Sequence, residues 1–188
     1  EPVHHGAFDR LVRHFTHVGA WKDLADLLAR RAEAVPSPEE QAALLLDAAR
    51  ISQMQLRDAQ RAMTLYRGVL QRLPHHGGAL TALGPLLFGH ALWEEAQDIF
   101  QRLVNVTKDP PVLNAAWRSL GIIFEEHAPD LDRAVNAFDR ALDADDADQE
   151  SLSRLASIHT QAERWNLAVE ALHRLAAVQP DTNARVLT

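Results

Sequence analysis

Several groups of residues in this chain have types and spacings that chemistry could use. His14 and His17 lie three apart, a spacing at which two imidazoles on one helix face can share a metal ion. Only Asp9 and Arg13 lie nearby, so no third ligand completes the set and the pair reads as surface histidines near a helix end. Asp143, Asp145, Asp146 and Asp148 suggest a calcium loop, which needs glycine at its sixth place and glutamate at its twelfth. Counted from Asp143, those places hold Asp148 and Arg154. The cluster therefore reads as a turn in which Asp146 caps the next helix, with Gln149 three residues on. Glu94-Glu95 and Glu125-Glu126 are adjacent carboxylates. Two-carboxylate catalysis needs groups that converge on one bond, whereas neighbours on a helix diverge by about 100°, so these belong to a solvated face.

The remaining histidines offer less. His4-His5 and His75-His76 stand just before Gly6 and Gly78 in equivalent places, as linker residues copied by duplication would. His90, His127, His159 and His173 have no ligand spacing. There is no phosphate-binding loop, no G-x-S-x-G, no H-E-x-x-H and no cysteine, so the motifs that announce these chemistries are missing. The sequence predicts no catalytic residue, no metal and no cofactor within this segment.

Composition is that of an ordinary globular protein: 188 residues, 47% hydrophobic and 24% charged, with net charge −7. Residues 1–73 hold ten Arg/Lys against nine Asp/Glu (+1), and residues 74–188 hold nine against seventeen (−8). The acidity argues against nucleic acid as a partner and mildly favours basic partners for the second half. No apolar run reaches the roughly 18 residues that suggest a membrane span, and the start shows no signal-peptide pattern. No membrane insertion is expected, and the compartment is left unassigned.

The elements that must position these residues repeat. Trp21, Trp93 and Trp165 are separated by two steps of 72 and open the similar stretches WKDLADLLARRA, WEEAQDIFQRLV and WNLAVEALHRLA. Apolar residues recur at helical spacing throughout: Trp21, Leu24, Leu28 and Ala32, then Leu113, Ala116, Trp117, Leu120 and Phe124. Ser37 with Pro38, Asp109 with Pro110, and Asp130 read as helix starts; the Pro36–Pro38 stretch, Pro74 and Pro180 read as stops. No stretch has a strand pattern. Five second helices align on Leu24/Leu28, Ala62/Tyr66, Ala96/Phe100, Ala134/Phe138 and Ala168/Leu172, in steps of 38, 34, 38 and 34. The 72-residue unit is therefore a doublet. The four extra residues are expected to lengthen the turns near Gln55–Leu56 and His127–Pro129. The tryptophans are expected in core or inter-repeat packing.

One copy reads Trp117-x2-Leu120-Gly121-x2-Phe124, then Ala134-x3-Phe138-x2-Ala141. This resembles the tetratricopeptide repeat, a 34-residue helix–turn–helix. The small residue which that motif needs where two helices cross is Ala49, Gly84, Gly121 or Ala156, with Val12 the exception. Leu24 replaces the usual alanine, and Lys108 and Asp146 stand where proline is common. The resemblance covers nearly the whole chain and implies an all-α, right-handed solenoid of about five helix hairpins. As a single repeat domain, its copies span about 4–36, 37–74, 75–109, 110–146 and 147–180, with a further helix starting at 182–188. No polar capping helix is visible, so the array is expected to be a piece of a longer one.

The resemblance further implies a concave groove lined by the first helices, in which family members mostly bind proteins or extended peptides. Carried onto this sequence, the groove positions are Arg13, His17, Arg50, Met54, Phe88, Arg118, Ile122, Glu125 and Ser157. Arginines flanking apolar residues suit a linear segment with an acidic and an apolar anchor. The Lys/Asn/Arg carboxylate clamp of the chaperone-tail binders is absent, so that ligand is not carried over. The expected function is a non-catalytic scaffold that binds a partner protein or peptide. Three rivals remain: a regulatory or substrate-presenting arm of an enzyme, one-base-per-repeat RNA binding, and self-association through exposed repeat ends.

Overall fold

The computed structural model describes residues 2–178, with side chains from residue 6 onward; the stop expected at Pro180 and the helix start expected at 182–188 lie outside them. Among the described residues there are ten α-helices and no strand. They are α1 Pro2–Val18, α2 Trp21–Ala34, α3 Pro38–Met54, α4 Ala59–Arg72, α5 Gly77–Gly89, α6 Trp93–Val106, α7 Pro110–Ile122, α8 Leu131–Ala144, α9 Gln149–Gln161 and α10 Trp165–Val178, with a π-helical turn, Ile123–His127, continuing α7. The chain divides into two compact units between Leu92 and Trp93. The first holds α1 to α5 and the second α6 to α10. Within each, every helix packs on the next one in sequence.

Local sequence chemistry sets the helix starts. The Ser37 hydroxyl accepts from the Glu40 amide at 3.3 Å, with Pro38 in the first turn. Asp58 and Asp130, one 72-residue step apart, accept from the amides of Arg61 at 2.9 Å and Arg133 at 3.0 Å. Asp109 occupies the start of α7 without a side-chain cap bond. The cap expected from Asp146 is not made: α9 starts at Gln149, and Asp148, two residues later, occupies the cap position without a side-chain cap bond.

The sequence period returns in the turns. The amides of Ala20, Leu92 and Arg164 donate to the carbonyls of Phe15, Leu87 and His159 at 2.9, 3.0 and 2.8 Å, three identical closures spaced by 72. The intervening repeats use a longer closure. There Leu56 and Asp58 donate to Ile51 and Ser52 at 3.1 and 2.9 Å, while Ala128 and Asp130 donate to Ile123 and Phe124, both at 2.8 Å. Left-handed backbone recurs at the same step, with φ +70° at Gly19 and +57° at both Ala91 and Glu163.

The four extra residues of the longer copies do not sit mainly in the turns, as the sequence suggested. Pro38 and Pro110 start α3 and α7 eleven residues before Ala49 and Gly121, whereas Gly77 and Gln149 start α5 and α9 only seven before Gly84 and Ala156. The insertion thus adds about one helical turn at the start of α3 and α7. The linkers before α3 and α7 hold three residues against four before α5 and α9, so three of the four extra residues are taken up there and one remains for the turn, which after α7 the π-helical closure at Ile123–His127 accommodates.

The small crossing residues Ala49, Gly84, Gly121 and Ala156 are all buried. A Cβ at Gly121 would lie 2.5 Å from the Phe138 ring, closer than packed atoms can approach, so glycine here is a packing requirement. In the first unit Leu24, Ala25, Leu28 and Ala48 form a core against which Phe8, Val12, Phe15, Trp21 and Leu65 pack. Trp21 thus sits where expected. Trp165 does not: it is 60% exposed, with Leu172 at 50%, because α10 buries only Ala168 and Ala171.

Candidate partner-binding face

In the first unit the expected groove residues project from the first helices. Arg13 and His17 are exposed one turn apart on α1, and Arg13 donates only to the backbone carbonyl of Asp9 at 3.3 Å. On α3, Arg50 lies a loose 4.0 Å from Asp47, with both side chains well exposed. Met54, one turn further, is 69% exposed. The face of α3 turned away from the core therefore carries a solvated guanidinium beside a solvated thioether. Phe88 is half-buried on α5.

The second unit treats its candidates differently. Arg118 is only partly exposed and donates to Asp148 at 2.9 Å and to the Asn114 amide oxygen at 3.3 Å, with Glu150 at 3.5 Å. Asp148 itself is buried. It accepts from the Ser151 hydroxyl at 2.5 Å and the Asn114 amide at 3.2 Å, and Asn114 also reaches the Ala141 carbonyl at 3.1 Å. Burial pushes the Asp148 carboxyl up, and the bonds from Ser151, Arg118 and Asn114 outweigh it, holding the group below the ordinary carboxylate range. This network ties α7, the end of α8 and the start of α9 together. Arg118 is therefore a structural cation rather than a free groove arginine.

Glu125 is paired as well, with Arg154 at 2.9 Å, and the same guanidinium binds Glu126 and lies 3.8 Å from Glu150. The hydrogen bond that Arg154 donates to Glu126 is the main reason that the Arg154 pKa is raised, with Glu125 contributing against the opposing effect of burial. Ile122 is half-buried and Ser157 exposed. The first helices of the second unit thus present an arginine–carboxylate lattice whose cations already have partners.

The other sequence candidates are placed as follows. His14 and His17 are exposed, and among the described residues no three His, Asp or Glu side chains converge as a metal site requires. His76 Nδ1 accepts from the Ala79 amide at 3.1 Å, which explains a histidine before a helix. His127 stacks on Trp93 with ring centroids 3.7 Å apart and 5° between planes. Two residues that spacing arguments passed over are buried, Asp148 and His159. Asp148 could have been found as the residue before the helical pattern with Ser151 three on. His159 could have been found because its 72-step equivalents are Phe15 and Leu87. No described helix is long and apolar enough to cross a membrane.

Helix hairpins repeating at these steps, with small residues at the crossings, define an all-α repeat solenoid of the tetratricopeptide type. No protein-family model matches the sequence, and no curated protein does. Solved structures do match. MamA from Desulfovibrio magneticus RS-1 is similar at a TM-score of 0.63 and 20% identity, over 92% of this chain and 93% of that one. YrrB, described as a TPR protein with an unusual peptide-binding site, is similar at a TM-score of 0.66 and 17% identity, over 96% and 91%. Pseudomonas aeruginosa PilF is similar at 0.60 and 17%, over 94% and 77%. At these identities the likeness establishes the fold.

Proposed function

We propose that this chain is an interaction scaffold that binds a partner protein or peptide on the exposed face of its first helices, and that recognition of an acidic and an apolar anchor rests on Arg13, His17, Arg50 and Met54. The observation that carries this reading is the pairing on α3 of a solvated Arg50 with a 69%-exposed Met54. Neither side chain contributes to the core, and an exposed flexible thioether beside a guanidinium suits an extended segment with one apolar and one acidic side chain. YrrB shares the fold and is described as binding peptide, which supports the same class of ligand. Arg118 and Glu125 support this reading only as braces, since both are engaged within the second unit. The reading assigns no catalysis to these residues: the carboxylates Glu125 and Glu126 share one guanidinium and do not face each other across an open site.

The test is selection of linear peptides from a random library on the intact chain, followed by capture with variants. Arg50→Glu and Met54→Glu should each lower capture at least tenfold, while Arg30→Glu on the second helix α2 leaves it unchanged; all three keep parental helicity. Selected peptides without an acidic residue, or equal losses in all three variants, would overturn the assignment.

A further inference from the structure

The core position three residues beyond the tight crossing holds Phe15, and one and two 72-residue steps later Leu87 and His159. The third copy thus places an imidazole where the others place hydrocarbon. His159 is 7% exposed, and its Nδ1 is buried with no hydrogen-bond partner. The ring lines a cavity of about 240 Å3 among α8, α9 and α10, walled by Val135, Leu155 and Leu167 and edged by Asp139 and Glu170, with Arg164 and Arg174 also at its edge. This volume lies below the about 300–1,000 Å3 of pockets that enclose drug-sized ligands; it suits one long side chain.

The unmet needs of this cavity point one way. A neutral imidazole carries one N–H and one bare lone pair, and buried orphan N–H groups are rarer than under-satisfied acceptors. We therefore assign the proton to Nε2 and the bare lone pair to Nδ1. Asp139 is short of donors too. Burial pushes its carboxyl up, more than the attraction of a protonated His159 would lower it, while Asp143 adds to the rise and Arg174 opposes it; a neutral His159 withdraws that attraction. Arg164 leans towards Asp132 at 3.9 Å on the exposed side. The cavity thus combines apolar walls with acceptors that lack donors. A carboxylate ligand would meet the arginines and leave Asp139 and Nδ1 as they are; a donor-rich cation on an aliphatic stem serves both.

We propose that this cavity takes an alkyl-linked cation: the side chain of lysine or arginine, or a free alkylammonium of similar length. Its stem lies on Val135, Leu155 and Leu167, and its N–H donors meet Asp139, Glu170 and His159 Nδ1. The net charge of −8 carried by residues 74–188 draws such ligands towards this half of the chain.

The test uses the full chain with labelled histidine, titrated with Nα-acetyl-lysine methylamide, Nα-acetyl-arginine methylamide and 1,5-diaminopentane. Nα-acetyl-norleucine methylamide and Nα-acetyl-glutamate methylamide serve as controls. Saturable movement of the His159 ring resonances with the cations and with neither control supports the site. Stronger binding of the acetylated residues assigns the cation to a polypeptide, and stronger binding of the diamine assigns it to a free amine. Asp139→Asn and His159→Leu, the latter restoring the residue type of position 87, should each weaken binding about tenfold or more, as loss of a hydrogen bond to a charged group does, with unchanged helicity. Equal response to norleucine or glutamate, undiminished cation binding by a folded His159→Leu chain, or no saturable movement with any cation would overturn the proposal.

Discussion

Replacing Gly121 by alanine tests the packing logic of the repeat at its tightest point. A Cβ there would stand 2.5 to 2.7 Å from three atoms of the Phe138 ring, and Phe138 is fully buried. A rigid ring with no space behind it cannot yield, so α7 and α8 must part. Overpacking of this kind costs about 1–3 kcal/mol, and a three-atom clash with a ring belongs at the upper end. Alanine returns about 1 kcal/mol through helix propensity. The net loss is about 2 kcal/mol, or about 4–8 °C in melting temperature for a chain of this length.

Two other glycines calibrate the measurement. Gly89 has nothing within 4 Å of a new Cβ, and Gly68 meets the flexible ends of two side chains, a Leu45 methyl at 3.2 Å and the Arg72 guanidinium at 3.9 Å; Gly89→Ala should be neutral or slightly stabilising, and Gly68→Ala near neutral. Thermal melts followed by circular dichroism read all three. Adding Phe138→Leu to Gly121→Ala makes room for the methyl group, so the double variant should be more stable than the sum of the single losses predicts by about 1 kcal/mol or more. Position 49, one period earlier, holds a fully buried alanine, so an arrangement with alanine at this crossing exists in the same chain. A Gly121→Ala protein that melts with the parent, or strict additivity with Phe138→Leu, would show that the second unit reaches that arrangement freely, and the argument from the ring contact would fail.

Ala91 and Glu163 adopt the left-handed backbone that Gly19 adopts one and two periods earlier. Ala91→Gly and Glu163→Gly should each stabilise by about 0.5–1 kcal/mol, and Gly19→Ala should destabilise by a similar amount; chemical denaturation distinguishes the signs. The folded-state pKa of Asp148 is lowered, so its stabilising contribution is present above its unfolded value of about 3.9 and is lost as pH falls through the folded value. Asp148→Asn should cost about 1.5–3 kcal/mol at neutral pH and flatten the acid limb of a pH–melting curve. An Asp148→Asn chain with an unchanged acid limb would refute that role. Asp139 has the opposite sign: its folded pKa is raised, so its contribution grows as pH falls, and Asp139→Asn should be neutral or stabilising at pH 7 in the same melts.

What the sequence revealed and what it hid follow from the range over which each interaction acts. The period of 72, the helix hairpins and the small residues at Ala49, Gly84, Gly121 and Ala156 were legible because each is a local pattern repeated in phase. The place of the four extra residues was not. Alignment on the crossings shows only that the steps alternate, while Ser37-Pro38 and Asp109-Pro110 begin α3 and α7 a turn early and put the excess into helix. The partners of Arg118 and Glu125 were hidden for a different reason. Both positions lie on the face that the repeat geometry assigns to a groove, but Asp148 and Arg154 come from the next repeat, 30 and 29 residues away, and period alone does not report a polar bond between neighbouring repeats. Arg50 lies on the corresponding face of its own helix, one turn further along (one residue after Ala49, where Arg118 is three before Gly121), and its ion-pair partner among the described residues is Asp47 at a loose 4.0 Å. The two arginines therefore look alike in the sequence and differ in their surroundings: one is held by a buried carboxylate that would lose its compensating charge if the arginine turned outward, and the other is well exposed, with a loose 4.0 Å contact to an equally exposed Asp47.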